Sequence, residues 1–131
     1  MRAGAVAALA GGAALGWVSA GVVRRLGERG SVIGAGAALV TAAVIYPAAR
    51  RDHGPSAAHA IEAGVLVATT GLAVTAARTD AGSGRRLLAA GWAAHALFDF
   101  GRGPSADSRL PAWYAPLCAG FDVTYAARLI A

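Results

Sequence analysis

Residues 3–23 read AGAVAALAGGAALGWVSAGVV, with no charged side chain until Arg24 and Arg25 close the run. A helix rises about 1.5 Å per residue, so this stretch covers about 31 Å, the thickness of a bilayer's hydrocarbon core. It predicts a membrane-spanning helix. Met1-Arg2 followed by small apolar residues and Val18-Ser19-Ala20 also fits a cleavable signal peptide. The apolar run continues past that point to the arginine pair, as an anchor does.

Four further segments follow the same pattern. Residues 31–49 are free of charge and end at Pro47, Arg50 and Arg51. Residues 57–77 are interrupted only by His59 and Glu62 and close at Arg78. Residues 87–101 are bracketed by Arg85, Arg86 and Arg102, and residues 112–131 carry Asp122 within and Arg128 near the end, with Trp113 and Tyr114 at the mouth as interface anchors. The fourth run covers only about 22 Å of helix, so it spans with snorkelling arginines, crosses a locally thin bilayer, or is re-entrant. Connectors rich in Gly, Pro, Ser and Asp make sequential helices antiparallel. The expected fold is all-α: one transmembrane domain over 1–131, an integral membrane bundle of five helices or of four plus one re-entrant.

Composition agrees. The chain is 56% hydrophobic and only 15% charged, where ordinary globular chains carry about a quarter charged residues, and little is left for a soluble catalytic domain. A soluble Ala-rich bundle would need polar residues at helical spacing through the first two segments, and there are none. All twelve basic residues are Arg, set between the apolar runs. A net charge of +5 raises nucleic acid as a partner, but that needs a basic face with stacking aromatics, and these arginines are dispersed. The expected partner is the lipid bilayer, with a homo-oligomer or a larger membrane assembly open. Gly12/Gly16 and Gly30/Gly34 are small-xxx-small pairs that suit a dimer or ordinary packing within the bundle.

Orientation follows from arginine counting. Five (Arg2, Arg50, Arg51, Arg102, Arg109) fall on the N-terminal side of the membrane and seven (Arg24, Arg25, Arg29, Arg78, Arg85, Arg86, Arg128) on the other. The positive-inside rule then leans the N-terminus of this multi-pass chain to the outside of the cell membrane.

Ionisable side chains in hydrocarbon cost a few kcal/mol each and therefore tend to be paired and to mark sites. Four stand out: Glu62 in the third segment, His95 and Asp99 in the fourth, Asp122 in the fifth. Counting about 1.5 Å per residue from the common side puts Glu62 roughly 8 Å deep, His95 and Cys118 about 9 Å, Asp99 about 3 Å and Asp122 about 15 Å. His95 and Asp99 share a helical face, as do Tyr114, Cys118, Asp122 and Tyr125. Such a set suits proton relay, acid/base catalysis or a divalent metal with Glu62, His95, Asp99 and Asp122 as candidate ligands. Structural readings compete: His95 bonding Asp99 within its helix, Asp99 pairing with Arg102, Glu62 pairing with Arg50 or Arg51. Asp122 is the hardest to excuse, since its own helix offers no near cation. Cys118, alone in the chain, forms no internal disulfide and suits packing unless an imidazole activates it.

Gly91-Trp92-Ala93-Ala94-His95-Ala96-Leu97-Phe98-Asp99 and Trp113-Tyr114-Ala115-Pro116-Leu117-Cys118-Ala119-Gly120-Phe121-Asp122 together resemble a group of small uncharacterised bacterial integral membrane proteins. That group has His-x-x-x-Asp on its penultimate helix, Trp-Tyr-x-Pro-x-Cys-x-x-x-Asp on its last, and a Glu on the helix before. The resemblance implies a shared site of Glu62, His95, Asp99, Trp113, Tyr114, Cys118 and Asp122. The relatives often continue past the motif's Asp with a His, where this chain has Gly101-Arg102-Gly103. The group supplies no activity.

The functional expectation is therefore a membrane protein with a polar site enclosed by its third to fifth helices. Its chemistry stays open between a small enzyme acting on a lipid-soluble substrate, a proton or metal-ion transporter, and a structural subunit.

Overall fold

The computed structural model describes all residues, 1–131, and consists of five helices: α1 (Ala3–Arg24), α2 (Gly27–Ala48), α3 (Ala57–Arg78), α4 (Ala81–Gly101) and α5 (Tyr114–Ile130). No sheet forms; one isolated bridge joins Arg50 and Ser108. Helices α1, α2 and α3 are long and apolar enough to cross a membrane. Two starts differ from the sequence reading. Helix α2 begins at Gly27, four residues before the expected 31, with Glu28 and Arg29 in its first turn. Helix α4 begins at Ala81, where Asp80 caps it by accepting from the Ser83 backbone N–H at 2.9 Å. Arg85 and Arg86 lie inside α4 rather than bounding it, so its 21 residues rise about 31 Å, but neither α4 nor α5 is both long and apolar enough to count as a membrane span.

Packing turns the usual polarity of a folded chain around. Only 27 of 131 residues are buried, and they include Arg50, Glu62, His95, Asp99 and Asp122, while Val67 and Leu97 are 72% exposed. In water the reverse is expected, because burying charge is costly and exposing large apolar side chains forfeits their transfer energy. Outward-facing apolar residues occur on every helix, including Phe100 on α4 and Val123 and Ile130 on α5.

Helices α1 and α5 run parallel in the tightest contact of the bundle. A Cβ on Gly12 would collide with the carbonyl of Leu117, one on Gly16 with that of Phe121, and one on Gly120 with that of Leu9. The Thr124 hydroxyl adds a bond to the Ala13 carbonyl at 2.7 Å. Gly12 and Gly16 thus serve packing within the chain. Gly30 and Gly34 meet only side chains of Leu26 and Val23 at the α1–α2 turn. Around this pair the other helices close in the order α1 to α2, α2 to α3 and α4, and α4 to α5. Trp92 of α4, fully buried, packs on Tyr125 at 4.5 Å and Phe121 at 5.7 Å between ring centres and fills the middle.

Alanine favours a helix over glycine by about 1 kcal/mol, whereas overpacking costs about 1–3 kcal/mol. At Gly120 the obstacle is backbone, which cannot turn aside; at Gly11 nothing lies within 4 Å. Gly120→Ala is therefore expected to lower the melting temperature of the detergent-purified protein, and Gly11→Ala to leave it unchanged or raise it. Equal melting for the two variants would contradict the α1–α5 contact.

Candidate functional site

The ends of α2 and α4 and the starts of α3 and α5 meet at one end of the bundle, which is why residues far apart in sequence converge there. His95 faces α5, and its Nδ1 lies 2.8 Å from Asp122 Oδ2 and 3.6 Å from Asp99 Oδ2. All three residues are buried, and their ligand-type atoms lie within 4.8 Å of one another. The Tyr46 hydroxyl, from α2, donates to Asp99 Oδ1. The Tyr46 ring stacks near that of His95, 6.4 Å between centres, and meets Tyr114 edge-on at 6.1 Å.

With Asp122 ionised and the ring neutral, the proton between them sits on Nδ1 and the lone pair of the imidazole is on Nε2. That nitrogen is buried with no hydrogen-bond partner, as are Asp99 Oδ2 and Trp92 Nε1. A buried polar atom without a partner is uncommon and calls for a reason. His95 forms part of the wall of a cavity of about 280 Å³ between α2, α3 and α4, otherwise lined chiefly by Leu39, Val65, Leu72 and Phe98. On its other flank, between α2 and α5, an apolar groove of about 350 Å³ ends on Asp122, Cys118 and Tyr114. The His95–Asp122 bond thus separates two apolar spaces.

Glu62 goes elsewhere. Its carboxylate takes Arg50 Nη1 at 3.2 Å, and both groups are buried. Arg50 also holds Ser105 Oγ at 2.9 Å, Asp107 Oδ2 at 3.1 Å, Ser56 Oγ at 3.2 Å and the Asp52 carbonyl at 3.1 Å. All its guanidinium nitrogens are engaged, and the α4–α5 connector is strapped across this end of the bundle, helped by backbone bonds from Arg51 to Asp107 and from Arg109 to Ala49. The Ser105 hydroxyl bonded to Asp107 holds that carboxyl below its ordinary value, so this part of the strap is present at neutral pH and weakens as the pH falls through Asp107's lowered titration.

The geometry therefore brings together His95, Asp99 and Asp122, with Cys118 and Tyr114 beside them, and gives Glu62 the structural partner that its neighbourhood to Arg50 in sequence allowed. The third wall of the trio comes from α2, through Tyr46, and α3 contributes no ionisable side chain to it, only the cavity lining of Val65, Ala68, Thr69 and Leu72. Asp99 takes Tyr46 rather than Arg102. Tyr46 lies near the end of the charge-free second segment; the same depth count applied to that end places it beside Asp99. Gly103 has φ +61, and its N–H bonds Phe98 O at 3.0 Å to end α4. A side chain is strained there. No protein-family model, curated protein or solved structure matches the chain.

A hydrogen bond to a charged group is worth about 1.5–3 kcal/mol. Tyr46→Phe leaves a buried carboxylate oxygen unsatisfied and is expected to destabilise by about that amount, while Tyr125→Phe removes a buried hydroxyl that has no partner and leaves stability unchanged or higher. Thermal unfolding of both variants checks the pair; equal losses would contradict the Tyr46–Asp99 bond.

Proposed function

We propose that this chain is a multi-pass protein of the cell membrane, all five helices crossing the bilayer, with an acid/base site for a lipid-soluble substrate. Exposed Leu97, Phe100, Val123 and Ile130 on α4 and α5 support spanning by the two less apolar helices, since their outer faces suit lipid as those of α1 to α3 do. The carrying observation is His95: one ring nitrogen is fixed by Asp122 and the other is free, in a residue that walls an apolar cavity. A base held by a carboxylate in one tautomer, with the opposite nitrogen unengaged, is the arrangement general-base catalysis needs.

His95 Nε2 accepts a proton from the substrate, and Asp122 stabilises the imidazolium that results. Asp99, held by Tyr46, orients the pair from α4's own next turn. Apolar walls admit a hydrophobic substrate sideways from lipid. The C-terminal third then belongs to the kind of site found in the bacterial group it resembles, without Glu62 as a participant.

One observation favours a second reading. A histidine and two aspartates with converging donor atoms form a mixed N/O set that suits a divalent cation. Ligand atoms around a tetrahedral ion with bonds of about 2.0–2.1 Å stand about 3.4 Å apart, so the trio would contract and give up its direct His95–Asp122 bond. The acid/base reading uses the geometry as it stands.

Membrane lipid extract incubated with detergent-purified protein in heavy water tests the choice. The proton taken by His95 exchanges with solvent before return, so a lipid species is expected to gain deuterium at a rate that His95→Gln lowers about a hundredfold or more. Equal uptake with both proteins, or uptake with neither, contradicts the reading. About one equivalent of tightly held divalent metal per wild-type chain, absent in Asp122→Asn, also overturns it in favour of the metal site.

A further inference from the structure

The opposite end of the bundle is built from arginine. Arg24, Arg25, Arg29, Arg78, Arg85, Arg86 and Arg128 lie there, and none is in an ion pair: the ion pairs of this structure involve only Arg50 and His95. Two of them spend donors on helix ends, Arg24 on the Arg128 carbonyl at 3.0 Å and Arg29 on the carbonyls of Ala77 and Thr79, which leaves their positive charge uncompensated. At the other end Arg50 is neutralised by Glu62 and Asp107. The free positive charge is thus more lopsided than arginine counting alone gives.

Three of these arginines border one pocket. Arg24 from α1 and Arg85 and Arg86 from α4 line a pocket of about 490 Å³ whose floor is Gly82 with Leu129, Ile130 and Ala131. No acidic side chain lines it. Arg86 and Ile130 also line a second, apolar groove of about 350 Å³, which runs down the outer seam of α4 and α5 along Ala89, Ala90, Ala93, Ala126 and Ala127. A cationic cup therefore opens into an alanine-floored channel leading toward the middle of the bundle. The small side chains leave a furrow where larger residues would have closed the seam.

The geometry points to a binding site for an anionic phospholipid: the headgroup phosphate on Arg24, Arg85 and Arg86, one acyl chain in the α4–α5 groove. Arginine's planar fork matches phosphate oxygens, and basic pockets between helices recruit anionic headgroups. The groove separates this ligand from a free phosphate ion, which has nothing to place there. The site rests on the five-helix membrane reading and is independent of the acid/base chemistry; a chain that stays monodisperse in buffer without detergent would refute that reading and the site with it, whereas failure of the deuterium test leaves the site standing. It also accounts for the side of the membrane that carries the excess arginine, since anionic lipid is richest in the cytoplasmic leaflet.

Native mass spectrometry of the detergent-purified full chain, titrated with phosphatidylglycerol or with phosphatidylcholine of the same acyl chains, provides the test. Phosphatidylglycerol is expected to bind about tenfold more tightly, and Arg85→Gln with Arg86→Gln to abolish that preference. Ala90→Leu with Ala93→Leu, both positions exposed, fills the groove and is expected to weaken retention of the lipid severalfold without touching the arginines. Helical content by circular dichroism confirms that the variants fold. Equal binding of the two lipids, an unchanged preference in the arginine variant, or full competition by inorganic phosphate together with no effect of the leucine variant overturns the proposal.

Discussion

A carboxylate removed from water needs a partner inside the protein, and Asp122 finds one only across a helix interface. Its 2.8 Å bond to His95 fixes how α5 faces α4, and the rest of the bundle is arranged so that this bond can exist. Glycines at 12, 16 and 120 let α1 press α5 into place through backbone contact. Trp92 and Tyr125 fill the space below the bond. Arg50 ties the connector between α4 and α5 to the ends of α2 and α3, so the two helices enter the site at a fixed angle. Losing one member leaves a buried charge uncompensated, which costs about 3–5 kcal/mol where a full ion pair is broken.

The two ends of the molecule divide the work. At the end holding Tyr46, Asp99 and Asp122, the buried charges are internally paired and four exposed arginines remain free; at the other, seven arginines are unpaired. Apolar side chains wrap the outside between them. A bundle polar within and apolar without satisfies its charges from its own residues at one end, and from a phosphate-bearing environment at the other.

Much of this was legible in the sequence because hydrophobic length and arginine punctuation are one-dimensional. Five helices follow from the charge-free runs, and the His-x-x-x-Asp spacing with Asp122 at comparable depth suffices to bring the trio to one end. Charge punctuation fails where a helix begins before its charged residues: Arg85 and Arg86 read as a boundary, although Asp80, three residues before Ser83, is a helix start of the ordinary capping kind. Tyr46 stays hidden because a charge-free segment marks no site of its own; only the crossing of α2 against α4 turns it toward Asp99. Which of two neighbours Glu62 chooses depends on the α4–α5 connector, whose path over Arg50 no periodicity encodes.

Nitrogen NMR of histidine-labelled protein, with His95 assigned by difference against His95→Gln, reads the central bond directly. The account predicts a proton on Nδ1, an unprotonated Nε2 in the neutral ring, and a change of both signals in Asp122→Asn while those of His53 and His59 stay put. A His95 spectrum indifferent to Asp122→Asn, in a variant that still folds, would contradict it.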